Sequence, residues 1–355
     1  MKVLFILKHR EQPDGSYSSA GLSSGLANSA RFVSDMLNKM GVASHLVHAI
    51  DNNCIDRLVK ENKPTHVIIE AYWVVPEKFE VLTQLHPDIK WIIRNHSELP
   101  FLASEGIAID WTCRYVKYHN VYVSGNSPRV LSEMITMVRH SYPRHEQIVR
   151  EKVWYLPNNY VPSVTPRAFS LPESDFIDVG CFGAIRPLKN QLLQAVAAIE
   201  FAEYLGKKLR FHINATRIEG GSTDSQLKNI RMLFHHTNAN GHQLIEHSWL
   251  DHSQFVNLLK HEIDIGLCVS HSETFCIVAA DLVSAGVPIV ASHEVPWLSR
   301  WSKADPNSSH EIVKRMKTAW RYKNTLVLQT LNLWGLEHFC ENTKDFWGKH
   351  FKGRS

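Results

Sequence analysis

Short apolar runs alternate with amphipathic stretches along almost the whole chain, and they do so in two series. The alternation is that of βαβ units. A strand buried on both faces of a parallel sheet reads as an unbroken apolar run, and the returning helix keeps one wet face. The first series is KVLFIL (2–7), ASHLVHAI (43–50), THVIIEAY (65–72), KWIIRNH (90–96) and NVYVSG (120–125). A second series runs FIDVGCFG (176–183), LRFHINA (209–215), HQLIEHSW (242–249), IDIGLCVS (263–270) and VPIVAS (287–292). Helical stretches lie between them, such as LANSARFVSDMLNKMG (26–41), with Gly41 placed to close it. Residues 153–175 separate the two series; they hold four prolines and little periodicity, and read as a linker. The expectation is an α/β chain of two doubly wound domains, with ligands at the carboxyl ends of the strands and in a cleft between the domains.

A length of 355 residues agrees with two domains. The 39 basic and 35 acidic residues are spread evenly, 18 against 16 in residues 1–160, which is not the footprint of a dedicated DNA-binding domain. No apolar run approaches the roughly 18–20 residues that span a bilayer. The opening MKVLFILKHREQPDG is too short for a signal peptide and reads as a first buried strand. Six cysteines without a C-x-x-C pair read as reduced, structural thiols of a cytoplasmic protein. The 21 histidines show no H-E-x-x-H spacing, and His235–His236 reads as a surface loop.

One apolar stretch carries acids where none is expected. In SHSETFCIVAADLVSAGVPIVAS (270–292), Glu273 heads the run and Asp281 sits among Ile277, Val278, Ala279, Ala280, Leu282 and Val283. With IDIGLCVS as a strand and FCIVAADLVSAG as a helix, Glu273 is expected at or just before a helix N-terminus at the sheet's carboxyl edge. Helical spacing separates it from Asp281 by a rise of about 12 Å, so that both acids face one elongated ligand. Carboxylates accept hydrogen bonds from paired hydroxyls, and the amides at a helix start attract phosphates. A sugar nucleotide offers both.

The pattern S-x-x-E-x-F-x-x-x-x-A-D-x-x-x-A-G-x-P-I-V in this stretch resembles the signature of retaining glycosyltransferases of the GT-B fold, the large group with two glutamates separated by seven residues. Glu273 fills the first place, and Asp281, a shorter acid, the second. The resemblance implies that the first acid lies against the donor sugar and the second holds the ribose hydroxyls. It also implies that the amides of Thr274 and Phe275 approach sugar and phosphate. GCFGAIRPLKNQLLQAVAAIEFA (180–202) resembles the family's strand-loop-helix with arginine and lysine three apart, here Arg186 and Lys189, with Gly183 allowing a close turn. Two cations at the mouth of a strand suit a diphosphate leaving group. LPNNYV (156–161) resembles the segment that enters the second domain. In HSWLDHSQFVNLLK (247–260) Asp251 and Gln254 have capping-box spacing, and Trp249 and Leu250 are candidates beside the nucleotide base, although core packing accounts for Trp249 equally well. Asn214 and Thr216 end the preceding strand and are candidates for the same pocket.

The first domain matches in architecture more than in motif. GSYSSAGLSSGLANSARF (15–32) reads as a flexible loop carrying Gly21 and Gly25. WIIRNHSE puts His96 just past a strand end, where family members often carry a histidine facing the donor sugar; a lone histidine is more often structural, but the position favours function. Ser124 and Asn126 end the next strand. LEHFCENTKDFWGKHF (336–351) reads as an amphipathic helix packed through Phe339, Phe346 and Trp347.

The sequence therefore predicts a GT-B glycosyltransferase in which residues 1–160 bind the acceptor and 161–335 bind the nucleotide sugar. A helix over 336–355 crosses back to the first domain. Glu273, His96, Arg186 and Lys189 are the catalytic candidates. The donor is a nucleoside-diphosphate sugar, a UDP-sugar favoured, and no metal or other cofactor is expected. The acceptor is a glycan or lipid-linked sugar, or a hydroxymethylated DNA base bound through the basic run RHSYPRHEQIVREK (139–152). EIVKRMKTAWRYK (311–323) reads as a solvated helix face rather than a lipid-binding patch. The location is cytoplasmic, with a peripheral place at the inner membrane compatible. A nucleotide-sugar epimerase of this fold and a non-catalytic nucleotide-sugar-binding protein are the alternatives.

Overall fold

A computed structural model describes residues 1–9, 24–139, 146–162, 174–216, 225–325 and 327–351. The chain divides into two compact units, Met1–Val161 with Cys340–Ser355, and Pro162–Phe339. The first unit holds strands β1 (Lys2–Lys8), β2 (Ala43–Ala49), β3 (His66–Glu70), β4 (Lys90–Asn95), β5 (Val121–Gly125) and β6 (Val153–Tyr155). They form one sheet in the order β2-β1-β3-β4-β5-β6, every neighbouring pair parallel. The central strands are apolar and buried on both faces, as Val3 to Leu7 and Val67 to Ile69 show.

The second unit repeats the plan with β7 (Phe176–Gly180), β8 (Lys208–Asn214), β9 (Gln243–His247), β10 (Ile265–Cys268), β11 (Ile289–Ser292) and β12 (Lys303–Ala304). The order is β12-β11-β10-β7-β8-β9, again parallel throughout. Strand order reverses between β7 and β10, so the loops leaving these two neighbours diverge and open a crevice at their carboxyl ends. Two six-stranded parallel sheets with helical crossovers confirm the expected α/β architecture.

Several boundaries differ from the sequence expectation. The segment read as linker begins with β6, and its next residues are buried in the first unit: Leu156 N–H donates to Gly125 O at 3.0 Å, and Asn158, Asn159 and Tyr160 are buried. Gly25 lies in the first turn of helix Ser24–Lys39, not in a loop, while Gly21 lies outside the described residues. That helix ends in a Schellman motif, with Val42 N–H on Leu37 O (2.9 Å), Gly41 N–H on Asn38 O (3.0 Å) and Gly41 at φ +82°. His235 and His236 end helix Ser225–Thr237 rather than lying in a loop. The last helix is longer than expected, Val327–Phe351, and the division between the units falls inside it. Of its predicted packing residues, Phe339 meets Phe275 in the second unit, whereas Phe346 meets Tyr155 and Trp347 meets Phe5 in the first.

Candidate active site

The crevice between β7 and β10 gathers the residues that the two motifs single out. Leaving β7, the chain passes Gly183 at φ +112°, a conformation that favours glycine, and Gly183 N–H donates to Asn214 Oδ1 at the end of β8 (3.0 Å). Arg186 is extended, Pro187–Lys189 makes one 3-10 turn, and Asn190 follows in the left-handed region at φ +59°. This loop is stitched to the one leaving β10. Asn190 Nδ2 donates to Val269 O (3.1 Å) and Pro306 O (2.7 Å), and His271 N–H donates to Leu188 O (2.8 Å). Gln194 bridges both loops, donating to Lys189 O and accepting from Val269 N–H, each at 2.8 Å.

At the join, Lys189 Nζ donates to Glu273 Oε1 in a buried ion pair whose side chains are 14% and 7% exposed. Burial opposes charge on Glu273, yet Lys189 first and then Arg186 overcome it, and the carboxyl is held below its ordinary value. The Ser270 hydroxyl adds a hydrogen bond to the same carboxylate. Lys189 mirrors this: burial disfavours its charge and Glu273 more than restores it, so the ammonium is held above its ordinary value. Cys181, Phe182, Cys268 and Cys276 line the small pocket around the pair. Burial pushes the Cys181 thiol up to about 12, so it contributes no charge at neutral pH. The result is a desolvated ion pair with the half-buried Arg186 supplying a further positive charge.

The two acids do not share a helix. The helix begins at Ile277, after Cys276 in the left-handed conformation at φ +63°, and Glu273 lies in the preceding turn. The predicted helical rise between the acids therefore does not apply. Such a φ costs a non-glycine residue about 1–3 kcal/mol, and here it re-aims the chain from the loop into the helix. Phe275 serves as the anchor of this turn. Its ring is fully buried against Trp297 (5.8 Å) and Phe339 (5.4 Å), and its carbonyl accepts Trp297 Nε1–H at 2.8 Å. Only its backbone is thereby offered to a ligand, and Thr274 beside it is half-buried. The amides of Ile277, Val278 and Ala279 precede the first helical bond, Ala280 N–H to Cys276 O (3.2 Å).

Asp281 is buried within the helix and pairs with His252, Oδ1 to Nε2 at 2.7 Å. His252 is the first residue of helix His252–Glu262. The Asp251–Gln254 capping box fixes its start, with Gln254 N–H on Asp251 Oδ1 at 2.9 Å. Trp249 and Leu250 are half-buried in the connection before it. Thr216 is exposed at the edge of the described residues.

In the first unit, His96 follows β4 and its Nε2 bonds to Glu70 Oε2. Glu70 is fully buried and shared with the equally buried Arg94, Nη1 to Oε1 at 3.1 Å. Arg94 also donates to Asn158 Oδ1 (2.6 Å), which accepts Ser29 Oγ–H (2.7 Å). Burial lowers the His96 pKa; the attraction of Glu70 is partly cancelled by Arg94. Ser124 and Asn126 are buried. At the end of the basic run 139–152, Lys152 is committed to three carbonyls, those of Tyr118 (2.6 Å), His119 (2.6 Å) and Val121 (3.0 Å). Residues 140–145 of that run lie outside the described residues.

No family model matches the sequence, and no curated protein is similar to it in sequence. Solved structures are similar in fold. A UDP-forming α,α-trehalose-phosphate synthase from Burkholderia xenovorans superposes with a TM-score of 0.64 over 99% of both chains at 9% identity. Sucrose-phosphate synthase from Thermosynechococcus elongatus gives 0.61 over 98% of both at 12% identity. Anabaena HepE, in complex with UDP and glucose, gives 0.51 over 99% of this chain and 95% of that one at 13% identity.

The chain has the GT-B fold.

Within this GT-B chain the structure brings Gly183, Arg186, Lys189, Asn214, Glu273, Thr274 and Phe275 to the loops and strand ends around one crevice of the second unit. His96 belongs to a separate cluster in the first. The sequence reading does not single out His252, Glu70 or Arg94. Glu70 and Arg94 carry a recoverable signal: opposite charges end two apolar strands, and the parallel register makes them direct neighbours. His252 carries none, standing 29 residues from its partner on another helix.

Proposed function

We propose that the chain is a glycosyltransferase that moves a sugar from a nucleoside-diphosphate sugar, a UDP-sugar favoured, to a hydroxyl of a sugar or glycan acceptor. The observation that carries this reading is the buried Lys189–Glu273 pair at the reversal of strand order, with Arg186 acting on both. A buried ammonium beside a half-buried guanidinium is suited to a diphosphate whose charge grows as it departs. A carboxylate beside them is suited to the hydroxyls of the transferred sugar. Lys189 and Glu273 pair with each other, so a bound diphosphate competes with Glu273 for Lys189. The compared structures support a UDP donor, one being UDP-forming and one holding UDP and glucose.

The reaction follows from these roles. The bond between the anomeric carbon and the phosphate oxygen breaks as Arg186 and Lys189 stabilise the leaving diphosphate. The acceptor oxygen bonds to the same carbon from the same face, giving retention, and its proton passes to the leaving phosphate oxygen. Glu273 holds the sugar, and His96 is proposed, on the family resemblance alone, to face it. Gly183, Asn214, Thr216, Trp249, Leu250 and the amides of Thr274 and Phe275 complete the donor side, with residues 1–160 choosing the acceptor. Protein cations neutralise the diphosphate, so no metal is called for. Six free cysteines agree with a cytoplasmic setting, and no helix among the described residues is long and apolar enough to cross a membrane. The epimerase and non-catalytic readings are not favoured. Nor is a DNA acceptor; within its basic run, Lys152 already donates to three carbonyls.

The test is thermal stabilisation by UDP, GDP, ADP, TDP and their sugars without added metal, followed by transfer to sugar acceptors. We expect a clear shift with one nucleotide, lost in Lys189→Ala, and transfer that withstands EDTA with the product's anomeric configuration retained. No shift with any nucleotide would overturn the reading.

A further inference from the structure

The Asp281–His252 pair is unequal in its access to solvent. The carboxylate is 3% exposed and the imidazole 27%, so whatever arrives at this point of the second unit meets the ring first. Oδ1 lies 2.7 Å from Nε2, which fixes the proton of the neutral ring on Nε2 and makes Nδ1 its acceptor nitrogen. A carboxylate that is itself buried and committed on one oxygen is a poor direct reader of hydroxyls, whereas an imidazole held by it is a good one.

Position adds a second constraint. Asp281 is the fifth residue of the helix that starts behind the Glu273 turn, about 6 Å along the axis from Ile277. The first-turn amides and the backbone of Asp281 are therefore separated along the axis by about the length of one pentose. His252 opens a second helix directly after the connection from β9, so the dyad ties the second turn of one helix to the start of another.

We propose that His252 is the side chain that contacts the pentose hydroxyls of a nucleoside diphosphate, and that Asp281 is a positioning residue acting through it. The proposal rests on the donor reading above. It revises the role that resemblance gives to Asp281. An aspartate is one methylene shorter than glutamate, and the imidazole spans the missing length.

The experiment is calorimetric titration of UDP into the whole chain, with the thermal midpoint of each variant measured on the same samples. His252→Ala is expected to weaken UDP binding about tenfold, the worth of one hydrogen bond, and to lower the midpoint as the buried Asp281 carboxylate loses this partner. Adding Asp281→Glu to His252→Ala restores a carboxylate that reaches the ligand unaided, and is expected to recover affinity to within about threefold of wild type. Wild-type affinity in His252→Ala overturns the proposal and leaves the donor reading standing. A loss that is not rescued by Asp281→Glu also overturns it, showing the dyad to be a strut between helices. A wild type that binds UDP but not more weakly as His252→Ala separates the two claims, and one that binds no nucleoside diphosphate overturns both.

Discussion

Neither Lys189 nor Glu273 is tolerable alone where it stands, because each is nearly out of water. Removing one partner strands the other. Lys189→Met or Glu273→Gln should each destabilise the chain by about 3–5 kcal/mol, while the double variant should lose clearly less than their sum, with a coupling of about 0.5–3 kcal/mol. Denaturant titration of the four proteins checks this, and strict additivity would mean the pair is not the unit we take it for. Linkage gives the pH window. The Glu273 carboxyl is held below 4.5, so its contribution is present above that value and is lost as pH falls through the lowered one. Lys189 is held above 10.5, so its contribution persists until pH rises through the raised value. The pair thus stays ionised across the neutral range. Glu273, Arg186 and Lys189 were legible because their motifs are local runs. His252 was not, because a helix-opening histidine looks the same whether its partner is water or an acid on another helix.

At the scale of elements, long apolar strands such as β1, β3 and β4 were plain in the sequence. β6 and β12, of three and two residues, were not, because so short a run has no periodicity to read. The start of the helix behind Glu273 is hidden in the sequence for a related reason: Phe275 and Cys276 continue the apolar run, and only backbone geometry shows that the helix waits until Ile277. The last helix carries a further consequence. In the first unit His350 stacks on Trp154 at 4.1 Å, and His66 meets Phe351 edge-on at 5.1 Å. Burial first, and then the charge of Lys90, pushes both histidines down to about 4. Unfolded histidines take up protons near pH 6.5 and these do not until about 4, so the stability they confer is complete above 6.5 and declines as pH falls toward 4. His350→Phe keeps a ring on Trp154 and removes one titration. Its thermal midpoint should fall less than that of wild type between pH 7.5 and 5. An equal fall would show that the docking of this helix is indifferent to His350.

At the scale of the whole molecule, the first unit is assembled from two separated stretches of sequence, residues 1–161 and 340–355. The second stretch fills a core. Trp347 and Phe351 are buried with Val3, Phe5, Val33, Leu37 and Leu156, and Trp347 Nε1–H donates to Pro157 O at 2.9 Å. The Arg94 guanidinium lies 5.3 Å from the same indole ring, and Thr343 Oγ1–H donates to Asn158 O at 3.2 Å. The Glu70–Arg94–His96 cluster is therefore walled on one side by the returning helix. The second unit is one continuous stretch, 162–339, with its own core around β7, β8 and β10. The two units should then behave differently when cut out. A fragment of residues 162–339 should fold and unfold cooperatively by itself. A fragment of residues 1–161 should lack fixed near-ultraviolet dichroism, because losing Trp347 alone costs about 3–5 kcal/mol and Phe351 goes with it. A peptide covering 327–351 should restore that signal, and the same peptide with Trp347→Ala should not. If residues 1–161 fold unaided with a sharp thermal transition, the returning helix is an ornament on the first unit rather than part of its core.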